Sequence, residues 1–182
     1  MRKGDYIGTY TGIHFYPLDP HPEDVNLEDI AHALSNICRF NGHVNDFYSV
    51  GTHSLNVCAV LIAWGESEQV QLYGLLHDAA EAYCCDIPRP LKPYLPGYKD
   101  IEAGIMTAVY KRFGLEPPDK RTTDIVKAAD DFALALEGKK LMHNIGEWKL
   151  VEAEGELLQM TSTEHDFLRM AHHLFHTTGE KP

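Results

Sequence analysis

Apolar residues recur at helical spacing along most of the chain, every three or four positions. The first such series predicts a helix over about residues 27–38, with Asn26 as its N-cap. A second series predicts a helix over about residues 50–64. A third helix begins after Ser67 and is expected to extend through His77, which falls on its apolar side. The body of the protein is therefore predicted to be helical.

A proline-rich segment interrupts this pattern. Residues 84–97 hold four prolines, which rule out a long helix and predict a stiff loop across the mouth of a site. Helical spacing then returns over residues 101–113, over residues 125–136 and from Thr163 onward. Gly138 is expected to stop the middle one of these helices. Residues 139–155 have only scattered apolar positions, which predict no particular element.

The first residues follow a different pattern. Aromatic and β-branched residues cluster over residues 6–10 and 13–16, on either side of Thr11 and Gly12. This arrangement predicts a short β-hairpin with glycine in its turn. We expect the hairpin to be an appendage of the helical body.

The length of the chain predicts one domain. At 182 residues it can bury one sizeable core but is short for two ordinary domains. We expect a single domain over residues 1–182, in which residues 1–20 form the hairpin appendage and residues 177–182 a frayed tail.

Charge and cysteine content restrict the expected partners and compartment. The chain has 16 Lys and Arg residues against 27 Asp and Glu residues, a formal net charge of −11. Its long-range field repels polyanions, so we expect neither a nucleic-acid polymer nor a membrane surface as a partner. The four cysteines show no paired framework, and the longest apolar run, residues 57–64, is far below the ~18 residues of a membrane span. We therefore expect a cytoplasmic protein with reduced thiols.

Four residues supply the chemistry of a metal site. They are His53, His77, Asp78 and Asp130. Imidazole nitrogen combined with carboxylate oxygen suits Mn²⁺, Co²⁺, Fe²⁺ or Zn²⁺, whereas Ca²⁺ prefers oxygen alone. Burying these groups without a metal would leave costly charges, so a purely structural bundle is the weaker interpretation. A metal can activate water, and a carboxylate such as Glu81, one helical turn after Asp78, can orient that water.

The surroundings of these residues strengthen the interpretation. Matching segments follow one another in order, over residues 39–43, 48–54, 75–83 and 126–130. Together they resemble the HD-domain metal-dependent phosphohydrolases, and within them the small nucleotide-cleaving branch. The resemblance covers roughly residues 9–136 and implies an all-α HD-domain helical bundle with a small N-terminal β-hairpin. It also implies a single divalent ion, because the interval between Asp78 and Asp130 lacks the histidines that two-metal relatives use.

The resemblance further implies roles for individual residues. The metal ligands would be His53, His77, Asp78 and Asp130, holding Co, Mn, Zn or Fe. Asp131 is the alternative to its neighbour Asp130, but the family pattern places the ligand directly after the Ala-Ala pair. Glu81 would orient the attacking water, and Asp86 would lie beside the sugar and the scissile bond.

Substrate contacts are expected mainly from the segment after the first helix. Arg39 would contact phosphate, since a guanidinium fork matches phosphate oxygens. Phe40 would abut the sugar or, equally, be a core residue. Lys127 is either a further phosphate-binding cation or an ordinary surface lysine. Arg89 and Lys92 in the proline-rich loop either brace a substrate or keep the loop soluble.

These expectations lead to three alternative functions with a small-molecule nucleotide as substrate or ligand. The first is a 5′-nucleotidase that converts deoxynucleoside 5′-monophosphates to nucleoside and phosphate. The second is a triphosphohydrolase that releases tripolyphosphate from deoxynucleoside triphosphates. The third, favoured less because both Glu81 and Asp86 are present, is a non-catalytic nucleotide-binding regulator. Formation of a homodimer is left open by the sequence.

Overall fold

Helices make up most of the protein in the computed structural model, which describes residues 2–158, 160 and 162–182. The α-helices are α1 (Leu27–Asn36), α2 (Val50–Ala63), α3 (Glu68–Leu76), α4 (Glu81–Cys84), α5 (Tyr98–Arg112), α6 (Lys120–Leu141) and α7 (Thr163–Thr178). Two short antiparallel strands, β1 (Ile7–Gly8) and β2 (His14–Phe15), precede them. The predicted helical body with a small N-terminal hairpin is confirmed at this level. Among the described residues, no helix combines the length and the apolarity needed to cross a bilayer.

Side-chain caps explain where several helices begin. The side chain of Asn26 accepts a hydrogen bond from the backbone amide of Glu28 at 2.8 Å. Ser49, Ser67 and Asp119 cap α2, α3 and α6 in the same way. These side chains satisfy amides that have no partner within the helix. The predicted N-cap at Asn26 is confirmed.

Helix α2 is the central element of the core. It packs against α1, α3, α6 and α7. Residues 50–58 are all buried, so this part of α2 has no solvent-facing side. His53 lies in this stretch and is wholly inaccessible to solvent. A polar side chain in such a position needs partners within the protein.

The hairpin is fastened to the helical body by polar and aromatic contacts. Thr11 donates hydrogen bonds from its amide and its hydroxyl to the carboxylate of Asp29 on α1, at 2.7 Å and 2.9 Å. Phe15 of β2 is fully buried, and its ring stacks on Tyr83 with centroids 3.9 Å apart. Gly12 in the turn has a φ of 88°, which glycine adopts without strain.

Helix α6 extends past the glycine that was predicted to stop it. Because α6 reaches Leu141, the prediction of an end at Gly138 is wrong. Gly138 is buried, and a Cβ at this position would lie 3.3 Å from methyl groups of both Ile145 and Leu150. The glycine therefore allows the segment after α6 to pack closely on the helix instead of ending it.

Candidate metal centre

Three parts of the chain meet at the base of a cavity. Helix α2 carries His53, α6 carries Asp130, and His77 and Asp78 lie between α3 and α4. Ligand atoms of His53, His77 and Asp130 all lie within 4.8 Å of one another. Oδ2 of Asp78 lies 3.1 Å from His77 Nε2 and 3.8 Å from His53 Nε2. The four residues predicted as ligands are therefore neighbours in space.

His77 and Asp78 do not lie on a helix, contrary to the prediction. Helix α3 ends at Leu76, and a tight turn joins it to α4. The His77 ring explains this end, because its Nδ1 lies 2.8 Å from the carbonyl oxygen of Gly74. A continuing helix would bond that carbonyl to the amide of Asp78. The amide of Glu81 donates to the carbonyl of Asp78 at 2.9 Å, which keeps these two acids one turn apart.

A buried carboxylate that the sequence analysis missed fixes the orientation of His53. Glu137 is wholly buried, and its Oε1 lies 2.6 Å from His53 Nδ1. Because a carboxylate only accepts, the proton sits on Nδ1, and Nε2 keeps its lone pair for a ligand. Tyr48 donates its hydroxyl to the same oxygen at 3.0 Å. Glu137 follows Asp130 by two turns of α6, and this spacing was the available sequence signal.

Both ring nitrogens that face the cluster lack a hydrogen-bond partner. His53 Nε2 and His77 Nε2 are buried and unpaired among the described residues. His53 Nε2 lies 3.2 Å from Asp130 Oδ1 and His77 Nε2 lies 3.1 Å from Asp78 Oδ2, but neither contact has hydrogen-bonding geometry. Buried polar atoms are almost always paired, so these two atoms indicate a group that binds between them. Two imidazoles beside two carboxylates fit a divalent ion of the predicted kind.

The carboxylates around the cluster favour positive charge. Burial opposes a charge on His77, but the Asp78 and Asp130 carboxylates and the Gly74 carbonyl together outweigh burial and raise the pKa of His77 to about 9. Burial also opposes ionisation of Asp130, yet the His53 imidazole holds the pKa of that carboxyl below its ordinary value. Protons on the imidazoles can balance these acids, and a divalent ion would replace those protons.

Glu81 is the buried acid beside the cluster. Its side chain is 4% exposed, and its Oε2 has no partner among the described residues. Burial, together with the carboxylates of Asp78 and Asp86, raises the pKa of Glu81 to about 9. Lys92 Nζ lies 3.5 Å from Glu81 Oε1 and 2.9 Å from Glu102 Oε1. A carboxyl group with this pKa holds a proton at neutral pH, and it can accept one only after a positive charge beside it lowers that pKa.

Arg39 lies against the same buried network. Its Nη2 is 3.1 Å from Glu137 Oε2, and its Nη1 is 3.9 Å from Asp78 Oδ2. The next residue, Phe40, has a left-handed backbone with φ 54° and ψ 29°. Such a conformation is strained for a bulky side chain, and strain of this kind is concentrated at functional sites.

A cavity of about 710 Å³ adjoins the cluster. The acids in its wall are Asp78, Glu81, Asp86 and Asp130, and the cations are Arg39, Arg89, Lys92 and Lys149. Phe40 also lines the cavity and is half-buried there, outside the described core clusters. Lys127 is absent from the described wall, where it would be expected as a substrate contact. It is exposed and pairs with Asp130 at 3.0 Å and with Asp131.

Known proteins similar to this chain carry no assigned activity. No protein-family model matches the chain. It is 42% identical to the uncharacterized protein YfdR of Escherichia coli strain K12 over 148 residues, which cover 81% of this chain and 79% of YfdR. It is 38% identical to an uncharacterized protein of Rhodobacter capsulatus over 133 residues, 68% of this chain and 66% of that protein. The geometry of the site is therefore the basis for assigning a function to this protein.

Proposed function

The chain belongs to the protein family of Escherichia coli YfdR, and we propose that it is a metal-dependent phosphohydrolase of the HD-domain type. Its substrates would be deoxynucleoside 5′-monophosphates, and its products nucleoside and phosphate. The observation that carries this proposal is the pair of buried, unpartnered imidazole nitrogens beside carboxylates, at a cavity that also holds Arg39.

One divalent ion would be held by His53, His77, Asp78 and Asp130. When bound, such an ion neutralises phosphate oxygens and lowers the pKa of a water. The two histidines offer Nε2 because their Nδ1 atoms are engaged, by Glu137 for His53 and by the carbonyl of Gly74 for His77. These contacts orient the rings before any ligand arrives.

Two further carboxylates would serve the attacking water and the substrate. Glu81 would orient that water and, once the charge of a bound divalent ion lowers its pKa, take its proton, since it is buried beside the cluster with Oε2 unpartnered. Lys92, 3.5 Å from Glu81 Oε1, would hold the carboxylate in place. Asp86 lines the same cavity and would lie beside the sugar and the scissile bond.

Arg39 would bind the phosphate, and Phe40 would discriminate between sugars. Burial opposes the charge on Arg39, but the Glu137 and Asp78 carboxylates outweigh burial and raise the pKa of the guanidinium. Arg39 is therefore a permanent cation at the cavity. If the Phe40 ring lies against C2′, a ribose hydroxyl there has neither space nor a hydrogen-bond partner, which favours deoxyribose.

The charge of the cavity wall favours a monophosphate. With Glu81 ionised in the metal-loaded site, its four acidic and four basic side chains cancel, so a bound divalent ion would leave about two positive charges. A phosphate monoester carries roughly 1.5 to 2 negative charges at neutral pH. A triphosphate carries more negative charge than this, and Arg89, whose side chain is 63% exposed, is already counted among the four basic side chains. This balance supports the 5′-nucleotidase over the triphosphohydrolase.

A product analysis tests the proposal. Metal-loaded protein is incubated with nucleoside mono-, di- and triphosphates, and phosphate, pyrophosphate and tripolyphosphate are separated. Free phosphate and nucleoside from deoxynucleoside monophosphates are expected. Tripolyphosphate as the main product would favour the triphosphohydrolase instead. Binding of nucleotides to metal-loaded protein without any hydrolysis would favour the regulator.

A further inference from the structure

The segment that follows α6 forms part of the cavity wall. Met142, Trp148, Lys149 and Leu150 all line the cavity that holds Arg39 and the acids of the cluster. The sequence predicted no element here, and the metal chemistry makes no use of these residues. Three of the four are apolar, so this portion of the wall differs in chemistry from the charged portion.

Close packing gives this segment a defined position on α6. Ile145 and Leu150 approach Gly138 so closely that a Cβ there would lie 3.3 Å from each of them. The Lys139 side chain donates to the carbonyl of Ala153 at 2.9 Å. Trp148 lies between the two packed residues, so the indole is presented at the cavity by a fastened stretch of chain.

Trp148 and Phe40 form an aromatic pair at the cavity. Their ring centroids are 6.2 Å apart, and the ring planes are inclined by only 26°. Trp148 nevertheless remains 47% exposed, so much of the indole is available to a ligand. The left-handed backbone of Phe40 is costly for phenylalanine, which indicates that the position of its ring matters at this site.

The cavity therefore has two chemically different portions. One portion contains Arg39 and the cluster carboxylates, and the other contains the aromatic rings of Phe40 and Trp148 together with aliphatic side chains. A ligand that satisfies both needs an anionic group at one end and a flat, weakly polar ring at the other. Nucleobases fit the second requirement, because every base has a π-face that stacks on aromatic side chains.

We propose that Trp148, beside the Phe40 ring that would face the sugar, is the nucleobase-binding subsite of this protein and recognises the base by stacking. This inference rests on the proposed nucleotide hydrolysis and names the part of the substrate that lies farthest from the reaction. Stacking tolerates different bases, since it uses the π-face and not the hydrogen-bonding edge. The subsite should therefore accept purines and pyrimidines alike.

Fluorescence provides a test that does not depend on turnover. The chain has two tryptophans, and the other, Trp64, contacts Phe132 in a different part of the molecule. Trp64→Phe makes Trp148 the sole tryptophan, which is excited selectively at a wavelength that tyrosine does not absorb, and Glu81→Gln is added to prevent turnover. The metal-loaded double variant is titrated with 2′-deoxyadenosine 5′-monophosphate and with 2-deoxyribose 5-phosphate, which has no base. We expect the nucleotide to quench Trp148 and the sugar phosphate to leave it unchanged; equal responses to both would overturn the subsite.

Kinetics provide the second measurement. Trp148→Ala should lower kcat/KM for the nucleotide on the order of 10-fold to 100-fold, the scale of one stacking contact. It should leave kcat/KM for 2-deoxyribose 5-phosphate unchanged, and Trp148→Phe should restore most of the loss. An equal effect of Trp148→Ala on both substrates, or no effect on either, would overturn the subsite.

The two proposals fail in distinguishable ways. If both substrates are hydrolysed and Trp148→Ala leaves the ratio of their kcat/KM values unchanged, the proposed hydrolysis is supported and the proposed subsite is wrong. If neither is hydrolysed but the nucleotide alone quenches Trp148, the subsite stands and the hydrolase is wrong.

Discussion

The cavity has a floor and a rim that are built differently. The floor comprises His53, His77, Asp78, Asp130 and Glu137, and the rim comprises Phe40, Arg89, Lys92 and Trp148. At the floor, buried partners orient the rings, as Glu137 orients His53 at 2.6 Å. At the rim, side chains project from loops and turns, and Arg89 and Trp148 remain exposed. Buried contacts thus fix the chemical groups, on α2, on α6 and in the turn that carries His77 and Asp78, while exposed loops present groups that would select the substrate.

The largest effect on turnover is expected at Glu81, which lies where the floor meets the cavity. Glu81→Gln keeps the shape of the side chain but cannot take a proton from water. Turnover should fall on the order of 10²-fold or more, the scale of a positioned general base. Metal content should stay unchanged, because Glu81 is not needed to complete the ligand set.

Glu102→Gln is the matched control for this substitution. Glu102 contacts Lys92 at 2.9 Å, as Glu81 does at 3.5 Å, but it belongs to α5. The Glu102→Gln variant should keep turnover close to that of wild type. Near wild-type turnover in Glu81→Gln would remove Glu81 from the reaction.

Glu137 offers a way to weaken the floor without removing a ligand. Glu137→Gln takes away the charge that orients His53 and pairs with Arg39 at 3.1 Å. Metal affinity should fall by roughly 10-fold to 100-fold, as for other residues that orient metal ligands. Competition with a chromophoric chelator measures this, and circular dichroism confirms the fold.

Tyr48→Phe is the companion variant for Glu137. It removes only the hydroxyl that donates to the same carboxylate at 3.0 Å. Metal affinity should change little in this variant. A folded Glu137→Gln protein with wild-type affinity would show that the orienting contact is dispensable.

Metal binding at the floor should depend on pH. The Asp78 and Asp130 carboxylates and the Gly74 carbonyl together outweigh burial and raise the pKa of His77 to about 9, so a protonated His77 is expected at neutral pH without metal. A metal binds only the neutral imidazole, so binding must release this proton. Apparent affinity should rise by about tenfold per pH unit for each proton released, and this rise should stop above about pH 9. Calorimetry in buffers of different ionisation enthalpy counts the protons, and affinity independent of pH would contradict the assignment.

The smallest effects are expected at the rim, where specificity should change more than rate. Phe40→Ala should relax the preference for deoxyribonucleotides over ribonucleotides, because the ring would no longer exclude a 2′-hydroxyl. Arg39→Ala should instead weaken all phosphorylated substrates alike. The measured quantity is the ratio of kcat/KM for a deoxynucleotide and its ribo counterpart. An unchanged ratio in Phe40→Ala would remove Phe40 from the sugar pocket.

Local signals in the sequence predicted much of the fold. Asn26 and Ser67 precede helices that begin where their side chains cap the first amides. The ends of helices were predicted less well, because they depend on contacts from outside the local pattern. Helix α3 ends where the His77 ring, in place of a backbone amide, bonds to the Gly74 carbonyl. Helix α6 continues past Gly138 because that glycine makes room for Ile145 and Leu150 to pack on the helix.

Only part of the candidate site could be predicted from local signals. The sequence indicated the four candidate ligands, because the residue types and order of His53, His77, Asp78 and Asp130 are informative without a structure. Glu137 could not be assigned, since its importance comes from contacts with residues far away in sequence. Trp148 lies in a segment without periodicity, and only packing on α6 brings it to the cavity.

One divalent ion is expected at the floor, and metal analysis of the purified protein measures it. Wild type, Asp78→Ala and Asp131→Ala are purified, treated with a mild chelator and reloaded. We expect one ion per chain in wild type and in Asp131→Ala, whose carboxylate pairs with Lys127 beside the site. We expect loss of the ion in Asp78→Ala, since that carboxylate lies against both imidazoles. Equal metal content in wild type and Asp78→Ala would show that the floor does not bind the ion in this way.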